Sequence, residues 1–139
     1  MPNGTNDVRI TDRSGASLKY RGGLVRTDTD SFYSNPSSKY NCFIVGDNPL
    51  SEIHNEKITD GSSIVVVKES FGNALVPFLV DHYEYVYVID YRYFPTTTGG
   101  KTLQEFVTEM NVDTVLFINN LTATSTSQRL YELEKLLKD

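Results

Sequence analysis

The run Ser63-Ile64-Val65-Val66-Val67-Lys68 constrains this chain more than any other stretch. Four consecutive β-branched residues are stiff at χ1 and pack well on a pleated surface, so the run reads as a strand. No polar residue interrupts it, so both faces of that strand must be covered. At its end the chain turns polar at Glu69-Ser70, passes Phe71-Gly72-Asn73, and enters a new apolar pattern.

From there to the C-terminus the pattern is regular. Asn73 to His82 has helical spacing, and Tyr83 to Asp90 is a second strand. Thr96 to Gly100 is a loop. Lys101 to Met110 is a short helix with Leu103, Phe106, Val107 and Met110 on one face, and Asp113 to Asn120 is a third strand. The closing segment carries Leu130, Leu133, Leu136 and Leu137 as an amphipathic stripe, with Ser125 or Ser127 as its N-cap. Strands alternating with helices over short connections imply right-handed crossovers and a parallel sheet.

Residues 1–60 are less regular. Short strand-like runs at Val8–Ile10, Ser17–Tyr20, Leu24–Arg26, Tyr40–Gly46 and Ser51–Ile58 alternate with turn residues at Gly22-Gly23, Asn35-Pro36 and Asp47-Asn48-Pro49. Three parallel strands are few for a free-standing sheet, so this half, or chain beyond it, must add strands at an edge. The 139 residues form one domain by length, divided near Gly61 into a loop-rich β half (1–60) and a βαβαβα unit (61–139).

Composition excludes several functions. A net charge of −5 with interspersed signs is wrong for a phosphate-backbone binder, so no nucleic-acid partner is expected. The single cysteine, Cys42, lies in an apolar run and reads as a buried small hydrophobe. Two separated histidines, His54 and His82, with one cysteine offer no metal-ligand spacing. Gly99-Gly100-Lys101-Thr102 lacks the upstream glycine of a phosphate loop, and no metal or cofactor is expected. The polar N-terminus has no apolar export segment, which leaves a cytoplasmic protein or a piece of something longer.

In open α/β sheets ligands collect at the carboxyl ends of strands. Here those ends read Lys68-Glu69-Ser70, Asp90-Tyr91-Arg92 and Asn119-Asn120. Ser70, at a strand-to-helix turn, has two readings. It is a helix N-cap, or it is a nucleophile with the Phe71 amide and a helix N-terminus as oxyanion donors. Gly72 would permit close approach. Pro77 fits a helix only in its first turn. A serine nucleophile needs a base, and neither histidine suits. His54 sits in the irregular half, and His82 ends the helix that Ser70 begins, where it reads as a C-terminal cap.

Val65 to Leu79 together with His82 to Phe94 resembles a bacterial family named for its Asp-His-His-Trp motif, the DHHW proteins, similar in turn to alginate-acetylation proteins of the SGNH-hydrolase class. The matches are Lys68, Ser70, Phe71, Asn73, Pro77, Phe78, Leu79, Asp90, Arg92, Tyr93, Val115, Leu116 and Phe117, with Phe43–Leu50 and Glu52–Asn55 upstream. Glu69 stands where the family has Asp, and the Asp-His-His-Trp segment is absent.

The resemblance implies a three-layer α/β fold with a mainly parallel, SGNH or flavodoxin-like sheet. It also implies a C-terminal portion of a longer cell-envelope carbohydrate esterase or O-acetyltransferase. Ser70 would be the nucleophile. Phe71, Asn73 and Arg92 would serve the oxyanion or substrate, and Glu69 and Asp90 would support them. The base and acid would come from the missing N-terminal segment, so the isolated chain would be inactive. The implied partner is a polysaccharide or acylated sugar. For Arg92 the plainer alternative is a salt bridge with Asp90 or Glu69. The alternative to an enzyme is a non-catalytic carbohydrate-binding or scaffold domain of the envelope, with tyrosines 83, 85, 87, 91 and 93 as stacking surfaces.

Overall fold

A computed structural model of the chain describes residues 6–25 and 40–138. Within them six strands form one sheet: β1 (Asn6–Thr11), β2 (Ser17–Gly22), β3 (Leu50–His54), β4 (Ser63–Lys68), β5 (Tyr85–Asp90) and β6 (Thr114–Ile118). Their spatial order is β2-β1-β3-β5-β4-β6. The helices are few and short: α1 (Val76–Leu79), α2 (Phe94–Thr97), α3 (Leu103–Met110) and α4 (Ser127–Leu137), with 3-10 turns at Ser70–Ala74 and Ala123–Ser125.

The expectation of a three-layer, mainly parallel α/β sheet is overturned. β4 pairs in parallel with β5 and β6, but β1–β2, β1–β3 and β3–β5 are antiparallel, so the fold is a β-rich mixed sheet. The reason is β5. Its second neighbour is β3 from the first half, which enters in the opposite direction with Leu50 beside Ile89 and His54 beside Tyr85. Local periodicity shows that a strand exists but not which distant strand lies beside it.

The continuous apolar run behaves as its composition demands. All six residues of β4 are buried. Ile64 and Val66 join one cluster with Val8, Ile53, Val86 and Val76, whereas Val65 and Val67 join another with Ile89, Phe94, Phe106 and Leu136. Alternate side chains of a strand point to opposite faces, so one strand serves both clusters.

Other local expectations need correction. The Asn73–His82 helix is instead a 3-10 turn followed by the four residues of α1, with Pro77 in the first turn of α1, where its lack of an N–H is harmless. His82 is exposed beyond the end of α1, and its backbone N–H bonds Leu79 O. α4 begins at Ser127 with Thr126 as its N-cap residue, and no side chain caps it. α3 has a full capping box between Thr102 and Glu105.

The Tyr40–Gly46 run is not a strand. It forms a 3-10 turn at 40–42, a single bridge from Phe43 to Val25, and a bend in which Ile44, Val45 and Gly46 take φ of 46°, 63° and 88°. Cys42 is half-buried rather than buried. The Asn35-Pro36 turn lies outside the described residues.

Candidate functional site

Register brings the site together. In the β4–β5 ladder Lys68 lies opposite Asp90, and both side chains are fully buried. Lys68 Nζ stands 3.2 Å from Asp90 Oδ2 and 3.4 Å from Asp47 Oδ1. Arg92 folds back on the same acids. Its Nε donates to Asp90 Oδ1 at 2.8 Å, and its Nη2 donates to Asp90 Oδ2 at 2.6 Å and Asp47 Oδ2 at 2.8 Å. Asn73, also fully buried, donates from Nδ2 to Asp47 Oδ1 at 2.8 Å. Two acids and two bases thus form a neutral, almost dry network, the condition under which buried charges are tolerated.

The electrostatics follow from that packing. Burial would raise the Asp47 carboxyl, but the charges of Lys68 and Arg92, with hydrogen bonds from Arg92 and Asn73, hold it below the usual range. Burial would lower the Arg92 guanidinium, but the hydrogen bond and charge of Asp90, then those of Asp47, raise it instead. Arg92 is therefore a permanent cation in a fixed orientation.

Asp47 is a site residue that the sequence alone does not reveal, although it belongs to the Gly-Asp of the FIVGDNPL segment. It follows the bend at Ile44–Gly46. A β-branched residue in the left-handed region costs about 1–2 kcal/mol, so two of them there are kept only because the surroundings enforce it. The bend delivers Asp47 to a position under Lys68 and Arg92.

Ser70 opens the 3-10 turn at the end of β4 and is half-buried. Its Oγ donates to Glu69 Oε2 at 3.3 Å. Glu69 is the N-cap of the turn; the same oxygen accepts from the Phe71 amide at 3.3 Å, and its Oε1 accepts from the Asn120 amide at 3.1 Å. The buried Glu69 carboxylate therefore collects three donors and ties the tip of β4 to the loop after β6. Gly72 is required by contact. A Cβ there would lie 2.5 Å from Lys68 Cβ and 3.2 Å from Ile118 Cγ2.

The sequence-derived site residues divide accordingly. Ser70, Glu69, Phe71 and Arg92 line one cleft of about 280 Å3, together with Asn120 and Arg129. Asn73 and Asp90 do not line it; both are buried beneath and hold Asp47, Lys68 and Arg92. The Phe71 N–H meets the Glu69 carboxylate. Asn120 accepts from the Ala123 amide, which is turn chemistry, while Asn119 Oδ1 is buried without a partner among the described residues.

Neither histidine is bonded to Ser70 in the described residues. His54 Nε2 lies 3.6 Å from Glu84, and its ring stacks on Tyr85 at 4.8 Å. His54 also comes together with Asp7 and Glu56, their possible ligand atoms lying within 4.8 Å of one another. That grouping spans strands and is invisible as a spacing. Arg21 already bridges Asp7 and Glu56.

The DHHW protein family matches residues 2–89, a span that holds Asp47, Lys68, Glu69, Ser70 and Asn73 and ends just before Asp90. The chain belongs to the DHHW family. A crystal structure of a DHHW family protein from Eubacterium siraeum is similar, with a TM-score of 0.76 at 21% identity over 98% of this chain and 42% of that one. Bacillus cereus PatB1, solved also with a sulfonyl adduct, gives 0.63 at 21% identity over 88% of this chain and 38% of that one. At this identity the likeness shows a shared fold, and this DHHW chain spans less than half the length of either structure. No curated protein matches it. No helix among the described residues is long and apolar enough to cross a membrane.

Proposed function

We propose that Ser70 is the nucleophile of a carbohydrate esterase or O-acetyltransferase of the cell envelope, completed by chain outside these 139 residues. The observation that carries this reading is the half-buried Ser70 at the carboxyl end of β4, lining a cleft where Arg92 is locked in place by Asp90 and Asp47. In the reaction Ser70 Oγ attacks the acyl carbonyl, the Oγ–C bond forms, the donor C–O bond breaks, and the serine proton passes to a base. The base passes that proton to the departing alcohol oxygen. Water or a sugar hydroxyl then attacks the acyl carbon, giving its proton to the base, and the Oγ–C bond breaks as Ser70 is reprotonated. In this reading the Phe71 amide, which now donates to Glu69, turns to steady the oxyanion. Arg92 supplies donors for a sugar hydroxyl or acyl oxygen.

His54 is engaged with Glu84 and Tyr85, and His82 lies beyond α1, so the base is assigned to another part of the protein. Support also comes from the sulfonyl adduct of PatB1, because sulfonyl donors generally label nucleophilic side chains. The test is labelling of the complete protein with an aryl sulfonyl fluoride. The adduct is expected on Ser70 and absent from Ser70→Ala. The isolated chain should hydrolyse p-nitrophenyl acetate no faster than its own Ser70→Ala variant. Ser70-dependent turnover by the isolated chain refutes the external base.

A second reading, sugar binding without chemistry, draws on a groove of about 500 Å3 on the sheet face, lined by Tyr85, His54, Glu52, Arg9 and Lys19. Tyr87 and Tyr91 are buried, so they are packing residues rather than stacking surfaces. Oligosaccharide binding that survives Ser70→Ala and is lost in Tyr85→Ala marks this reading.

A further inference from the structure

Beside Ser70 two aromatic rings stand in the open. Phe71 lines the Ser70 cleft and is 51% exposed, and Tyr40, from the 3-10 turn at 40–42, is 38% exposed. Their ring centroids lie 5.1 Å apart at 50°, a separation at which aromatic pairs attract. Single exposed apolar residues are ordinary. A pair drawn from distant segments, meeting at the mouth of a cleft, is not.

Both rings are carried on fixed backbone. The Phe71 amide is held by Glu69, and the close contact of Gly72 with Lys68 Cβ keeps the turn against β4. Tyr40 O accepts from the Phe43 amide at 3.2 Å. Rings positioned before a ligand arrives lose little freedom when it binds.

The cleft indicates what they receive. Its volume of about 280 Å3 is small beside the ~300–1,000 Å3 of ordinary ligand pockets, so a longer ligand must continue over the rim, where the rings are. Its other walls are polar, with Arg92 and Arg129 facing Asn120, Thr122 and Thr126. Arg92 commits Nε and Nη2 to Asp90 and Asp47 and keeps Nη1 uncommitted among the described residues. An acyl chain or lipid laid there would leave such donors unpaired. The negative face of an aromatic ring suits weakly positive C–H groups. A pyranose has both chemistries, with C–H groups on its face and hydroxyls around its edge.

We propose that Phe71, braced by Tyr40, is the platform on which a sugar ring stacks, its hydroxyls turned toward Arg92 and Arg129. In the acyl-transfer reading this is the sugar that gives or takes the acyl group. Only that corollary rests on the serine; the stacking does not.

The experiment uses the complete protein carrying Ser70→Ala, which stops turnover, with cellotriose, xylotriose and chitotriose as probes. At least one of the three should bind by calorimetry. With isotope-labelled phenylalanine, it should shift the ring signal that disappears in Phe71→Leu. Phe71→Leu keeps the bulk without the aromatic face and should weaken binding about tenfold, whereas Phe71→Tyr should hold it within about twofold and Tyr40→Ala should weaken it about threefold. Three results overturn the proposal: no binding of any of the three sugars, equal affinity in Phe71→Leu, or binding lost in Tyr85→Ala but kept in Phe71→Leu. The last moves the sugar to the groove lined by Tyr85 and His54. If sulfonyl labelling misses Ser70 while sugar binding follows Phe71, the acyl-transfer reading falls and the platform stands. Labelling at Ser70 with binding indifferent to Phe71 does the reverse.

Discussion

Two groups of paired charges flank β5, one at each end. At its end, Lys68 and Arg92 meet Asp90 and Asp47, with side chains between 0% and 15% exposed. At its start, near Tyr85, Arg21 meets Asp7 and Glu56, with side chains around half exposed, and His54 faces Glu84. Both groups are built from the same chemistry. In the first, water is nearly excluded and every charge depends on its partners. In the second, water solvates Arg21, Asp7 and Glu56, and their pairing adds little to what solvent already provides. The contrast teaches that the site is defined by how dry its charges are, because only a dry network holds an arginine in one orientation.

The largest effect should come from breaking the dry group. Asp90→Ala removes the carboxylate that accepts from Lys68 once and from Arg92 twice through side-chain nitrogens. It strands a fully buried ammonium. Removing one partner of a buried pair costs about 3–5 kcal/mol, so urea denaturation should show a loss of that size or failure to fold. A loss below about 1 kcal/mol, the range of exposed pairs, would mean that water reaches the network and would erase the contrast.

Much of this contrast is written locally. The six buried residues of β4 are legible because an unbroken β-branched run permits nothing else, and the polar tips at Lys68–Ser70 and Asp90–Arg92 are legible as strand ends. The antiparallel half is not, since nothing in Leu50–His54 announces that its neighbour is β5. Tyr40–Gly46 misleads because its β-branched residues favour a strand, whereas the structure places Ile44 and Val45 in a left-handed bend. Asp47 is hidden for the same reason. A carboxylate that reaches Arg92 across 45 residues of sequence has no periodic signature. Asn73 is visible as a motif residue, but its burial beneath the cleft is not.

A smaller effect sharpens the comparison through pH. Asp47→Asn keeps the shape but loses the charge that faces Lys68 and Arg92. Hydrogen bonds to charged groups contribute roughly 1.5–3 kcal/mol, so a loss in that range or slightly below is expected at pH 7. The carboxyl of Asp47 is held low in the folded protein. Its contribution is therefore fully present above the unfolded value, about 3.9, and is lost as pH falls through the folded value below that. Denaturation curves of the two proteins should be well separated at neutral pH and converge in acid. Curves that stay parallel down to about pH 2, below both values, would show that Asp47 contributes only shape.

The smallest effect belongs to the wet group. Arg21→Gln removes the cation shared by Asp7 and Glu56. The guanidinium raises no question of stranded charge, because the two carboxylates it leaves behind are in contact with water. Their mutual repulsion is screened at physiological salt, where the Debye length is about 8 Å. The melting temperature of Arg21→Gln should therefore match the parent protein in moderate salt, and any difference should appear only at low ionic strength. The Asp90→Ala defect, by contrast, should change little as salt is added, since the ammonium it strands is fully buried and buried charges are screened far less than exposed ones. A salt-insensitive loss in Arg21→Gln would show that this end of β5 is covered in solution, and it would point to an occupant of the groove lined by Asp7, His54 and Tyr85.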